Sequence, residues 1–141
     1  MASSTILAHK IAMFRKAVQG FAAVLAMDLT SLEPVLADAV RNGAVQKFEF
    51  CCEISWKTIK AFLYEIHGID ARTPKSAMKE FFLAGCFDQS ECDLSLEMLD
   101  DRNLMSHVYR EVDFLAVFAK MPNYLSLMQN IVFRLEKGMA Q

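Results

Sequence analysis

Apolar residues recur at alternating fourth and third positions through three long stretches of this chain, a rhythm that only packed helices satisfy. Leu7, Ile11, Phe14, Val18, Phe21 and Leu25 keep strict 4-3-4-3-4 spacing, with Lys10, Arg15 and Lys16 off the seam. They predict a first helix near residues 5–26. Phe48, Cys52, Ser55, Ile59, Phe62 and Ile66 repeat the spacing in a long helix near 37–67, which Gly68 closes. A last helix carries Phe114, Phe118, Met121, Leu125, Met128, Val132 and Leu135, and Pro122 is expected to kink it by removing a backbone donor.

Two shorter helices complete the pattern. Thr73-Pro74 reads as an N-cap followed by proline at the first helical position, opening a helix that ends at Gly85. Asp88 and Glu91 stand at capping-box spacing, with Phe87 and Cys92 as a hydrophobic staple, so a fourth helix starts there. It is expected to run through residues 102–109 and fray after them. No strand pattern, repeat or low-complexity linker interrupts the series. The fold class is therefore all-α, a five-helix antiparallel bundle with short connections. A single domain spanning 1–141 is expected, large enough to bury a core without disulfides or metal. Phe50, Ile54, Trp56 and Leu63 add apolar surface away from the long helix's seam, more than one partner covers, which implies a homodimer.

Charge balance and cysteine usage narrow the function classes. The net charge of -2 supplies no global basic field, so any nucleic-acid contact must come from a local cluster. Cys51, Cys52, Cys86 and Cys92 form no C-x-x-C pair and read as small buried thiols of a reducing compartment. His9 and His67 have no partner at ligand spacing, so neither a metal site nor a cofactor is expected. The first helix lacks an uninterrupted apolar segment and no stretch has membrane length; a cytoplasmic protein without membrane contact is expected.

Candidate chemistry concentrates in residues 101–110. With each helical residue advancing roughly 100°, Arg102, Asn103, Ser106, His107 and Tyr109 share an arc of about 160°, opposite Leu104, Met105 and Val108. The plainer reading is a solvated face with Arg102 paired to Asp101 or Asp100. The sharper reading is phosphodiester chemistry without a metal, His107 taking a proton from a ribose 2′-hydroxyl while Arg102 neutralises charge growing on phosphorus. His107 lies about 140° from Arg102 on that helix, so the two need a shared cleft, a helix end or a dimer axis to meet. Gln46, Glu49, Glu53 and Lys57 line a second polar stripe on the long helix, with Glu53 and Lys57 in the favourable i,i+4 order. That stripe is either a solvated, salt-bridged face or a second wall of the same cleft.

Phe48-Glu49-Phe50 and Glu53-Ile54-Ser55-Trp56-Lys57-Thr58-Ile59-Lys60, followed about forty residues later by Asp101-Arg102-Asn103-Leu104-Met105-Ser106-His107-Val108-Tyr109, resemble the nucleotidyltransferase substrate-binding protein family of the HEPN superfamily. The resemblance covers roughly residues 38–136. It implies a five-helix protein built on a four-helix up-and-down bundle, dimeric, and partnered with a minimal nucleotidyltransferase. Asn103, Ser106, Tyr109, Glu49, Glu53 and Lys57, taken from the polar arc and the second stripe, are the expected binding residues, with nucleotide or RNA as the candidate ligand. In the related HepT-like toxins, the superfamily's Arg-x4–6-His motif, filled here by Arg102 and His107, forms a metal-independent ribonuclease site across the dimer. Tyr109 matches the tyrosine that the partner adenylylates to silence those toxins. Trp56 and Lys57 point to the substrate-binding branch; Met105 and Val108 depart from the small polar residues usual there. The expected function is thus a companion subunit of a nucleotidyltransferase, with a ribonuclease toxin neutralised at Tyr109 as the alternative.

Overall fold

The computed structural model of the protein describes residues 2–107 and 110–140. Among the described residues all regular structure is helical: α1 (Ala2–Leu25), α2 (Pro34–His67), α3 (Pro74–Leu83), α4 (Gln89–Met105) and α5 (Glu111–Ala140), with a 3₁₀ turn at Leu29–Ser31 in the first connection. The five expected helices are all present, although α2 starts earlier than the apolar spacing predicts because Pro34 serves at its N-terminal end, where a missing N–H costs nothing. Gly68 ends α2 in the left-handed region, with φ 67°. Both capping boxes form: Thr73 with Ser76 opens α3, and Asp88 with Glu91 opens α4. Helix α5 continues through Pro122.

Interhelical contacts fix the arrangement. The α1 and α2 helices run antiparallel and share the largest packing face, α4 runs antiparallel to both α2 and α5, and α5 closes the ring against α1. After Gly68 the chain doubles back along α2, where Lys60 donates to the Ala71 carbonyl at 2.7 Å and to Asp70 at 3.2 Å. Helix α3 therefore starts beside the middle of α2 and packs outside the four-helix ring, between α2 and α4.

Leu7, Ile11, Phe14, Val18 and Phe21 of the first seam are all buried, as are Phe48, Cys52, Ser55, Ile59 and Phe62 of the second. Phe48 lies between Phe21 and Tyr124, with ring centroids 6.1 and 5.6 Å away. Seam spacing misjudges the ends. Leu25 is only half-buried, and Ile66 is exposed, lining a cavity with residues of α5 and of the loop after α3 rather than packing on α1. On α5, Phe114, Phe118 and Leu125 are half-buried, whereas Val117, Tyr124, Leu127 and Ile131 are buried. A helix packed against two neighbours at once buries a wider stripe than one seam.

The expected course of α4 needs correction. The helix stops at Met105, where the Ser106 and His107 amides bond to the carbonyls of Asn103 (3.3 Å) and Leu104 (2.9 Å). These i→i−3 bonds tighten the last turn out of α geometry, so the polar arc expected over 102–109 is not one helical face. Tyr109 and Val108 lie outside the described residues.

Candidate functional site

A cavity of about 420 Å³ opens where α2, α4 and the start of α3 converge. Glu53 and Trp56 supply one wall, Arg102 and Asn103 the opposite one, and Thr73, Pro74 and Lys75 the rim; Cys52 and Leu99 lie beneath. Antiparallel packing of α4 on α2 brings the two sequence stripes together, and the return loop delivers the α3 N-terminus to the same place.

Arg102 is the central group. Its Nη1 donates to Ser106 Oγ at 3.2 Å, while its Nε is buried without a partner among the described residues. The alternative pairing with its acidic neighbours does not occur, since residues 100 and 101 leave the helix in other directions. Asp100 pairs with Lys75 at 2.7 Å. Asp101 is buried against α5, accepting a hydrogen bond from the Tyr124 hydroxyl and another from Lys120 at 3.2 Å. A buried N–H donor left unpaired costs on the order of 1–3 kcal/mol, so Arg102 Nε is a group that a ligand acceptor would satisfy.

On the facing wall, Glu53 is already engaged. Lys57 sits 3.1 Å from one carboxylate oxygen and the Trp56 indole N–H donates to the other at 3.3 Å. The hydrogen bond from Lys57 holds the Glu53 carboxyl below the usual carboxylate range, more than burial raises it, with Trp56 and the Arg102 charge adding to the effect. Below them, burial pushes the Cys52 thiol well up, the neighbouring Cys51 adds to this and Arg102 opposes it. Cys51 is raised to about 12, also by burial. Both thiols stay neutral at physiological pH, so neither is a nucleophile. The cleft thus combines one unsatisfied guanidinium N–H, a carboxylate committed to its own neighbours and an indole wall. Among the described residues no group of three or more histidines, cysteines or acids is placed to hold a metal ion.

Of the sequence-derived candidates, Arg102, Asn103 and Glu53 meet in this cavity. Ser106 joins through its bond to Arg102. His107 is exposed and Glu49 half-buried, and neither lines the cavity; Lys57 faces the adjoining one. Thr73, Pro74 and Lys75 were missed as site residues. Their capping signal was legible, but nothing in the spacing revealed that the loop folds back to place them opposite Arg102.

A five-helix bundle with a polar cleft at the junction of α2, α3 and α4 is the class the geometry defines. The model of the family "nucleotidyltransferase substrate binding protein like" matches residues 9–137, and the chain belongs to that family. A Thermus thermophilus protein of known crystal structure is 31% identical, with a TM-score of 0.77 over 86% of this chain and 98% of that one. A Haemophilus influenzae protein, described as revealing the fold of a substrate binding domain of a nucleotidyltransferase, is 22% identical and shares the fold at a TM-score of 0.65, over 94% of this chain and 98% of that one. No curated protein matches the chain. No described helix is long and apolar enough to cross a membrane.

Proposed function

We propose that this chain is the substrate-binding companion subunit of a separate minimal nucleotidyltransferase, a homodimeric HEPN-like domain that presents the Arg102 cleft to that enzyme's substrate. The observation carrying this reading is the buried Arg102 Nε, without a partner among the described residues, on the wall of a cavity where Glu53, Trp56, Thr73 and Lys75 are already engaged. Such a donor is matched by an acceptor that arrives from outside. Family membership supports a nucleotidyltransferase as the partner. Glu53 and Asn103 line the cleft, Ser106 holds the Arg102 guanidinium, and Lys57 is tied to Glu53 from the adjoining cavity. The ribonuclease alternative ranks second, because it needs His107 opposite the phosphate held by Arg102. Within one chain His107 lies outside the cavity, so a second copy would have to bring it there.

Co-purification tests the reading. A tagged chain co-expressed with the small nucleotidyltransferase expected beside it should retain that enzyme and sediment as a dimer at micromolar concentration. Arg102→Glu should weaken the complex with helicity intact. Full retention by Arg102→Glu and Lys57→Glu alike would place the contact elsewhere, and a monomer would remove the dimeric part.

A further inference from the structure

Trp56 borders two cavities, and the second is assigned to nothing so far. It is about 690 Å³ and lies between the N-terminal half of α1 and the C-terminal half of α2. Leu7 and Ala61 line it together with Ile6, which is 58% exposed, and Trp56 and Tyr64 stand along its α2 side. Three lysines reach it: Lys10, Lys57 and Lys60. Two of these are tethered, Lys57 to Glu53 and Lys60 to Asp70 and the Ala71 carbonyl. Lys10 is exposed and has no partner among the described residues. Of the two acids that line the trough, Asp70 is occupied by Lys60 and Arg72, while Glu65, like Lys10, has no ion-pair partner among the described residues, which leaves Lys10 as the uncommitted cation.

These features match a particular chemistry. Trp56 directs its indole N–H into the other cavity toward Glu53, which leaves the apolar part of the ring for this one. Trp56 and Tyr64 are eight residues apart on one helix, about 12 Å, too far to clamp a single ring but suited to flank an elongated molecule. Aromatic faces stack on any nucleobase, and an ammonium without a carboxylate partner takes a phosphate. The volume falls in the range of small-ligand sites. We infer that the trough between α1 and α2 is a second binding site, distinct from the Arg102 cleft, for a nucleoside monophosphate whose base lies against Trp56 or Tyr64 and whose phosphate reaches Lys10.

Trp56 is the single tryptophan of the chain and borders both cavities, so its fluorescence responds to binding at either one and the variants below tell them apart. Titration of the intact protein with AMP should give a saturable change, with adenosine binding more weakly and inorganic phosphate alone giving no change. Lys10→Ala should weaken AMP about tenfold while leaving adenosine unchanged. Tyr64→Ala should weaken both by about tenfold. Both side chains are exposed, and circular dichroism confirms that each variant keeps its helices. Arg102→Ala should leave the titration unaltered, which separates this site from the cleft above. A response lost in Arg102→Ala and kept in Lys10→Ala would overturn the assignment, as would a wild-type chain whose fluorescence ignores millimolar AMP.

Discussion

Replacing Tyr124 by phenylalanine isolates one interaction at the base of the candidate site. The ring stays, stacked on Phe48 at 5.6 Å with an interplanar angle of 21°, so no cavity opens. What disappears is the O–H donated to Asp101, which sits 7% exposed between α4 and α5. A hydrogen bond to a charged acceptor contributes roughly 1.5–3 kcal/mol. Lys120 remains 3.2 Å from the same oxygen, so Asp101 is not stranded and the lower half applies, about 1.5–2 kcal/mol. Urea denaturation at neutral pH and fixed protein concentration should show a lower midpoint with an unchanged slope, and a melting temperature about 5 °C lower. The pH dependence supplies a second readout. Burial, and then the Asp101 carboxylate, push the Tyr124 phenol above its ordinary value. A folded-state pKa raised above the unfolded one, about 10, gives stability that is whole below pH 10 and lost as pH rises beyond it. Lys120, raised by its bonds to Glu97 and Asp101, loses its contribution in the same alkaline direction and is present in both proteins. The wild type should therefore lose more stability above pH 10 than Tyr124→Phe. A change below about 0.5 kcal/mol at pH 7, with parallel alkaline curves, would refute the claim that this bond ties α4 to α5.

Three further substitutions probe local packing. Gly138→Ala gains helix propensity of about 1 kcal/mol, but its Cβ would lie 2.5 Å from the buried Phe62 ring, itself packed on Phe81 and His67. Overpacking of about 1–3 kcal/mol should win, and a raised melting temperature would show that Phe62 yields easily. Gly43→Ala meets nothing within 4 Å and should stabilise α2 by up to about 1 kcal/mol; a loss in a thermal melt would reveal an unseen contact at that face. Thr73→Ala removes the cap bond to the Ser76 amide, 3.1 Å, and should cost about 1 kcal/mol in urea while raising amide exchange in the first turn of α3.

Much of the architecture was legible because burial in a helical bundle is periodic. The seam through Leu7, Ile11, Phe14, Val18 and Phe21 needs only spacing to be read, and so do the caps at Thr73 and Asp88, whose partners lie three residues away. Tyr124 and Asp101 lie 23 positions apart in the sequence, and nothing local to either announces the other. Arg102 shows the same limit from the opposite side. Helical spacing grouped it with Asn103 and Ser106, which the structure keeps near it, and with His107, which falls beyond the end of α4. Over the last residues i→i−3 bonds replace α bonds, a change of backbone partner to which apolar periodicity is blind. The apolar neighbours of Trp56 suggest core or interface, yet it separates two cavities. Its half-buried position follows from the return loop that Lys60 pins to α2, a connection whose path is set by tertiary bonds to Asp70 and Ala71 rather than by any spacing within α2. The cleft is therefore built by elements whose placement depends on long-range contacts: the sequence could offer the Glu53 stripe as a second wall beside Arg102, but it could not place Thr73, Pro74 and Lys75 there.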